Sequence, residues 1–306
     1  MWFPVWSALG RLCSEHGTAR RNRASTRLTV ERLEDRTVPA AYTAADVTQL
    51  IQAIHDANAT ADADTITLAP GTTFSLTAVD NTAHGATGLP TILAAGGDLT
   101  IVGNGGTIER KSGNGTPAFR LFDVAAGASL TLKNVTLQGG LAFGYGGAVY
   151  NQGSLTLQDV TVQNNTAQGS DGVAVWNPHQ PGGTVRGGGV YSSGILTMEG
   201  CTLQNNAALG GRGSRPFPSG DGGNAYGGGL FVSGTATIRN CSVVANSAQG
   251  GAAGGGHAAK GQGIGGGIYI DSAALVGLDA FTVSHALKNH ASTSDDNIDG
   301  SYDVIL

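Results

Sequence analysis

From residue 66 onward, apolar and polar residues alternate in short bursts that recur along the chain. Ile66-Thr67-Leu68, Leu99-Thr100-Ile101, Leu130-Thr131-Leu132, Leu155-Thr156-Leu157, Leu196-Thr197-Met198 and Ala236-Thr237-Ile238 each set two apolar residues around a threonine. A period of two turns the outer pair to one face of a strand and the threonine to the other. The steps between bursts are 33, 31, 25, 41 and 40 residues, so the strands repeat while their connections change length. That behaviour predicts a solenoid, in which each repeat buries its apolar face by stacking on its neighbours. A propeller closes in a ring, would vary less, and needs about four strands per repeat. The shortest step is close to the minimum for one coil of three short strands, and the longer repeats read as a coil plus an insertion. The expected fold is all-β, a parallel β-helix solenoid of about seven coils at ~4.8 Å per coil.

The same register predicts side-chain columns. Val135, Val160, Cys201, Cys241 and Phe281 should form one inward column, and Leu137, Val162, Leu203, Val243 and Val283 another. Tyr150, Tyr191, Phe231 and Tyr269 should stack as an aromatic column after a glycine pair. Asn165, Asn206 and Asn246 should stack at a turn, where asparagine tolerates left-handed backbone and its amide can bond the next one. Glu199, Arg239 and Asp279 fall in register outside as alternating surface charges of little energetic weight.

Before the coils, Val47, Leu50, Ile51, Ile54 and Ala57 follow helical spacing. A helix over about 44–59, with Thr43 as N-cap and Asp46 three residues on, would cover the first open coil. Residues 1–40 read as a leader or processing segment that is not part of the fold. They carry seven arginines against four acids, leaving ten basic and eighteen acidic residues in 41–306. An acidic body argues against nucleic acid as a partner. No run of 18 apolar residues provides a membrane span. Three cysteines make no disulfide framework, and Cys201 and Cys241 read as buried thiols acting as small hydrophobes.

Gly146-Gly147-Ala148-Val149, with Val162-Gln163-Asn164-Asn165 after it, returns from Gly187 and again from Gly227. These repeats resemble the right-handed parallel β-helix of the pectin-lyase-like superfamily, over about residues 60–300. They look most like the repeats of polymorphic outer-membrane proteins, which pair a Gly-Gly-Ala/Ile motif with Phe-x-x-Asn; here Val162, Leu203 and Val243 stand in place of the phenylalanine. Arg27 to Ala40 resembles the leader of bacterial proteins presumed to be secreted or surface-borne. The resemblance implies a fold and an extracellular or cell-surface location, not an activity.

The insertions 166–186, 207–226 and 247–264 leave one corner of three successive coils and should stack into a shelf. Trp176, Arg212, Arg215, Phe217 and Asp221 are the candidate ligand-binding residues there. Aromatic faces beside arginine forks suit a sugar ring. The very high glycine content instead predicts a mobile corner without a ligand. A glycosidase needs two carboxylates at a set separation, and Asp171 and Asp221 lie at unequal distances past their asparagine turns. Asp295, Asp296 and Asp299 are the densest acidic group, a weak match to a Ca²⁺ site. No catalytic set, metal site or cofactor is expected. The chemistry points to a secreted or surface protein with a non-catalytic structural or adhesive role. The alternative is a carbohydrate-binding or polysaccharide-degrading protein, a lyase or hydrolase, using the shelf. Expected partners are an extracellular polysaccharide or a surface protein, with end-to-end self-association through an uncovered C-terminal coil at Tyr302 to Leu306.

Overall fold

The computed structural model describes residues 39–113, 115–173, 179–215 and 219–306. The chain divides into two units, 1–36 and 37–306, and the described residues all lie in the second. The leader, Cys13, Trp176 and Phe217 lie outside the described residues.

The second unit is an all-β, parallel β-helix solenoid. Strands stack coil upon coil into parallel sheets. In the largest, Asp64–Leu68, Asp98–Arg110, Ser129–Gln138, Ser154–Gln158, Ile195–Glu199, Thr235–Arg239 and Leu275–Asp279 follow one another. Leu130 pairs with Leu155, Leu155 with Leu196, Leu196 with Ala236 and Ala236 with Val276, as the bursts predict. The first burst is shifted by two residues: Asp64, not Ile66, pairs with Leu99, and Ile66 pairs with Ile101. A two-residue shift leaves every side chain on its own face. Asp64 then occupies an inward position, 1% exposed, and its carboxylate accepts Ala40 N and Thr60 Oγ1.

A coil holds four short strands, not three. The 25-residue one runs Ser129–Gln138, which turns a corner and serves two faces, then Leu141–Phe143 and Val149–Asn151. Four fit because a corner needs only one left-handed residue. Asn134, Asp159, Gly200 and Asn240 serve the first corner at φ 47–65°, and Asn164, Asn205, Ala245 and Lys288 the second at φ 53–56°. The residues after them, Asn165, Asn206 and Asn246, are not left-handed; they turn inward and are at most 1% exposed. Each Nδ2 donates to the next Oδ1 at 2.9–3.0 Å and to a strand carbonyl one coil away. Each Oδ1 in turn receives a backbone N–H from the preceding coil. The column continues through Asn289 to Asn297.

The two inward columns hold as far as Cys241 and Val243 and then change. At the corner position of Gly200 and Asn240 the next coil has Ala280, and it holds three more residues before the next paired strand, since Ile238 pairs with Leu278 but Val243 with Ala286. The chain forms a short helix, α1 at the N-terminus being Val47–Asn58 and α2 here Ala280–Ser284, capped by Asp279 Oδ1 on Thr282 N. Thr282, not Phe281, meets the cysteine column, its Oγ1 accepting Cys241 N. Phe281 is 42% exposed and stacks on His285 at 3.8 Å. Ala286, not Val283, pairs with Val243. Outside, Glu199 pairs in register with Arg239. Glu199 accepts Asn240 Nδ2 and Arg239 donates to the Leu306 carbonyl.

At the N-terminal end α1 places Leu50, Ala53, Ile54 and Ala57 in the main core. Its N-cap is Asp46, which accepts Gln49 N, while Gln49 Oε1 accepts Ala45 N. Thr43 is in the strand Ala41–Ala44, which pairs with residues 65–68. Among the described residues no helix is long and apolar enough to cross a membrane.

Cys201 and Cys241 are free and at most 1% exposed. The hydrogen bond with the Cys201 sulfur, and then burial, push the Cys241 thiol up. Both should react with a thiol reagent only when the protein unfolds; fast labelling of the native chain would place them at the surface. Asn206→Ala should destabilise by roughly 3 kcal/mol or more, because several buried groups lose partners together. Asn205→Gly should change stability by only a few tenths of a kcal/mol, since glycine accepts the same left-handed corner. Urea midpoints at constant slope compare the two.

Candidate functional site

The three insertions begin in register and end in register. Thr166–Gln168, Ala207–Leu209 and Ser247–Gln249 pair as they leave the coils. Val185–Arg186, Ala225–Tyr226 and Gly263–Ile264 pair as they return. Between them the glycine-rich arms form a hydrogen-bonded double layer, outgoing arms in one layer and returning arms in the other. Along the outgoing layer, Gly169 N donates to Leu209 O, Gly172 N to Arg212 O, Gly210 N to Gln249 O and Gly213 N to Ala252 O, at 2.7–3.0 Å. Along the returning layer, Gly182 N donates to Asp221 O and Gly222 N to Ala259 O. Between layers, Gly183 N donates to Ser170 O, Gly211 N to Gly183 O, Gly223 N to Gly211 O, Gly251 N to Gly223 O and Gly261 N to Gly251 O.

The N–H groups of one arm point in three directions in turn. Gly210 and Gly213 bond within the layer, Gly211 and Ser214 across it, and Arg212 N outward to Asp171 Oδ1 at 2.8 Å. Three residues per turn is the period of an extended polyproline-II-type arm, and glycine is needed where such arms crowd, as in collagen. Here a Cβ on Gly211 would run into Ser170 O, on Gly223 into Gly183 O and on Gly251 into Gly211 O. None of these three glycines has a positive φ. Absence of a side chain, not backbone freedom, is what the plate requires. Small residues seat it on the solenoid: Ala167, Val185, Ala208, Ala225 and Ala248 form a separate buried cluster.

The plate presents two hollows. One, of about 270 Å³, is lined by Gln168, Asp171, Leu209, Arg212 and Gln249 over a glycine floor. The other, of about 220 Å³, is lined by His179, Ser219, Asp221 and His257. Of the predicted residues, Arg212 and Asp221 therefore line separate hollows. Arg215 is exposed at the end of its arm. The two loop carboxylates do not face each other across one site. Asp171 accepts Arg212 N, and Asp221 accepts Ala259 N at 2.7 Å.

A second surface lies on the neighbouring face. The rings of Tyr150, Tyr191, Phe231 and Tyr269 stack at 5.1–5.3 Å with interplanar angles of 6–12°. Their faces are covered by one another, which leaves only their edges to a ligand. Arg186 lies over Tyr145, Tyr226 and Phe231 at 5.7–5.8 Å. At the head of the column Arg120, 2% exposed, donates to the carbonyls of His84 and Tyr145 and lies 5.0 Å over Tyr150. Burial lowers its pKa, and Asp123 acts in the opposite sense. The buried Asp123 binds His84 Nδ1 and Thr91 Oγ1, each at 2.9 Å. This cluster ties the segment around His84 onto the coil; it lies upstream of the repeats, where no periodic signal reveals it. The plate did leave a signal in the sequence, glycines at i, i+1 and i+3 in Gly210-Gly211-Arg212-Gly213 and in the same threefold spacing elsewhere.

Among the described residues no group of three or more His, Cys, Asp or Glu side chains is placed to hold a metal ion. In the acidic group near the C-terminus, Asp296 accepts Ala291 N, while burial and a hydrogen bond with Asp295 raise the Asp299 carboxyl.

No family model, curated protein or solved structure matches this chain.

Gly211→Ala and Gly223→Ala should each open the plate, since overpacking there costs about 1–3 kcal/mol. Amide exchange at Gly183, Gly211, Gly223 and Gly251 should accelerate while the core strands stay protected. Unchanged exchange at these four would show that the arms are not close-packed.

Proposed function

We propose that this protein is a secreted or cell-surface β-helix with a structural and adhesive, non-catalytic role. The observation that carries the reading is the glycine plate. Three insertions that break the repeat are built into one hydrogen-bonded surface, and the two loop carboxylates, Asp171 and Asp221, are engaged in holding backbone N–H groups. Surfaces held by a rigid scaffold are where binding residues concentrate. The Gly146-Gly147-Ala148 motif and its returns, similar to the repeats of polymorphic outer-membrane proteins, support an adhesive module. The leader motif within 27–40 supports export.

The partner on this reading is an extracellular polysaccharide or a surface protein. Leu275 and Val304, 72% and 70% exposed on the last paired strands, support end-to-end self-association as well. A second reading, a polysaccharide-degrading enzyme, has its best support in the His84–Asp123 pair beside Tyr150, where a buried carboxylate orients an imidazole as in a general base.

A glycan array and a polysaccharide-cleavage screen on the full chain, with and without Ca²⁺, separate the two. Retention without cleavage is the expected result. Cleavage that His84→Ala abolishes would replace the adhesive reading with the enzymatic one.

A further inference from the structure

We propose that the hollow on the outgoing layer of the plate binds a neutral glycan across about two sugar rings. This rests on the adhesive reading and names its ligand.

The floor is backbone at Gly169, Gly210 and Gly250, with no side chain rising from it, so a flat ring can approach closely. One wall is the column Gln168, Leu209 and Gln249, paired in register on successive coils. The other is Asp171 and Arg212.

A neighbouring column shows what glutamines do when nothing separates them. Gln138, Gln163 and Gln204 stand one coil apart, and their amides bond to one another and to Glu109 at 2.7–2.8 Å. Gln168 and Gln249 are held apart by Leu209. Two coils at ~4.8 Å put their backbones about 10 Å apart, twice the spacing of the bonded ladder. Both are exposed, and neither amide has a hydrogen-bond partner among the described residues. Each offers one carbonyl and two N–H donors. The Arg212 guanidinium is likewise unpaired among the described residues, while its backbone N–H is held by Asp171. Free donors and acceptors therefore surround an apolar Leu209 and a bare floor. That arrangement matches a pyranose, which has a C–H face rimmed by hydroxyls.

Charge sets the class. Asp171 and Arg212 cancel, and the rest of the lining is uncharged. An anionic polymer finds no net positive charge here, whereas a polymer of neutral hexoses or pentoses loses no solvated charge on binding. The span of about 10 Å across three coils suits two rings.

The test is calorimetric titration of the full chain with neutral oligosaccharides (gluco-, xylo- and manno-series) and with an oligogalacturonate as acidic comparator. At least one neutral series should bind, with affinity rising to about two or three units and then levelling. Gln168→Ala with Gln249→Ala, and separately Arg212→Ala, should each weaken it by about tenfold or more, the loss of one or two hydrogen bonds. These positions are exposed, so urea midpoints should not move. Gln163→Ala, which alters only the neighbouring ladder, should leave binding unchanged. Undiminished binding in the hollow variants, or binding of the acidic oligomer alone, would overturn this inference and leave the adhesive reading standing. A wild-type chain retained by no glycan and by no surface protein would remove both.

Discussion

Each inward asparagine at the second corner binds the coil on either side of it, and the register of the whole solenoid depends on this column. Stacked apolar residues favour burial but do not by themselves choose which coil residue sits over which, because hydrophobic attraction has no direction. An amide does choose. With its carbonyl receiving two N–H groups and its own two N–H groups placed on a neighbouring amide and a strand carbonyl, Asn206 has no spare capacity. A slip of one residue would bury all four groups unpaired, at a cost that exceeds what any single apolar contact supplies. The column begins beneath Gly140, which has no amide to offer and contributes its backbone N–H.

The plate extends the same logic to segments without strands. Once Thr166, Ala207 and Ser247 leave the coils in register, the arms that follow start aligned. Glycine then lets them approach until every third N–H meets a carbonyl of the next arm. Hydrogen bonds take the role that apolar side chains have in the core, and absence of Cβ takes the role of shape complementarity. Side chains occur where the threefold period points away from the neighbours, as at Asp171, Arg212 and Asp221. The period that packs the glycines also decides which residues can meet a ligand.

The last coil shows how local these constraints are. A local insertion of three residues, after Ala280 where Gly200 and Asn240 stand in the coils before it, replaces the left-handed turn by α2. Phe281 and Val283 then fall out of their columns and Thr282 and Ala286 enter. The asparagine column survives through Asn289, so the strands beyond the helix still stack in register.

Much of this was legible in the residues. Apolar–Thr–apolar bursts, the aromatic column and the repeated asparagines are local patterns of period two at a fixed place in each repeat, and such patterns carry their own geometry. They determined that the chain is a parallel β-helix and which side chains stack in the coils before α2. Tertiary structure alone decided the two-residue offset of Asp64, since both registers keep the faces, and only the partners Ala40 and Thr60 distinguish them. It alone decided that the glycine-rich insertions form a plate, because threefold glycine spacing permits close arms but does not name the partner arm about forty residues away. It alone placed Arg212 beside Asp171 and away from Asp221, since outgoing and returning arms separate residues that are close in sequence. Periodicity records what a residue does with its own coil; a site made between coils exists only once they are stacked.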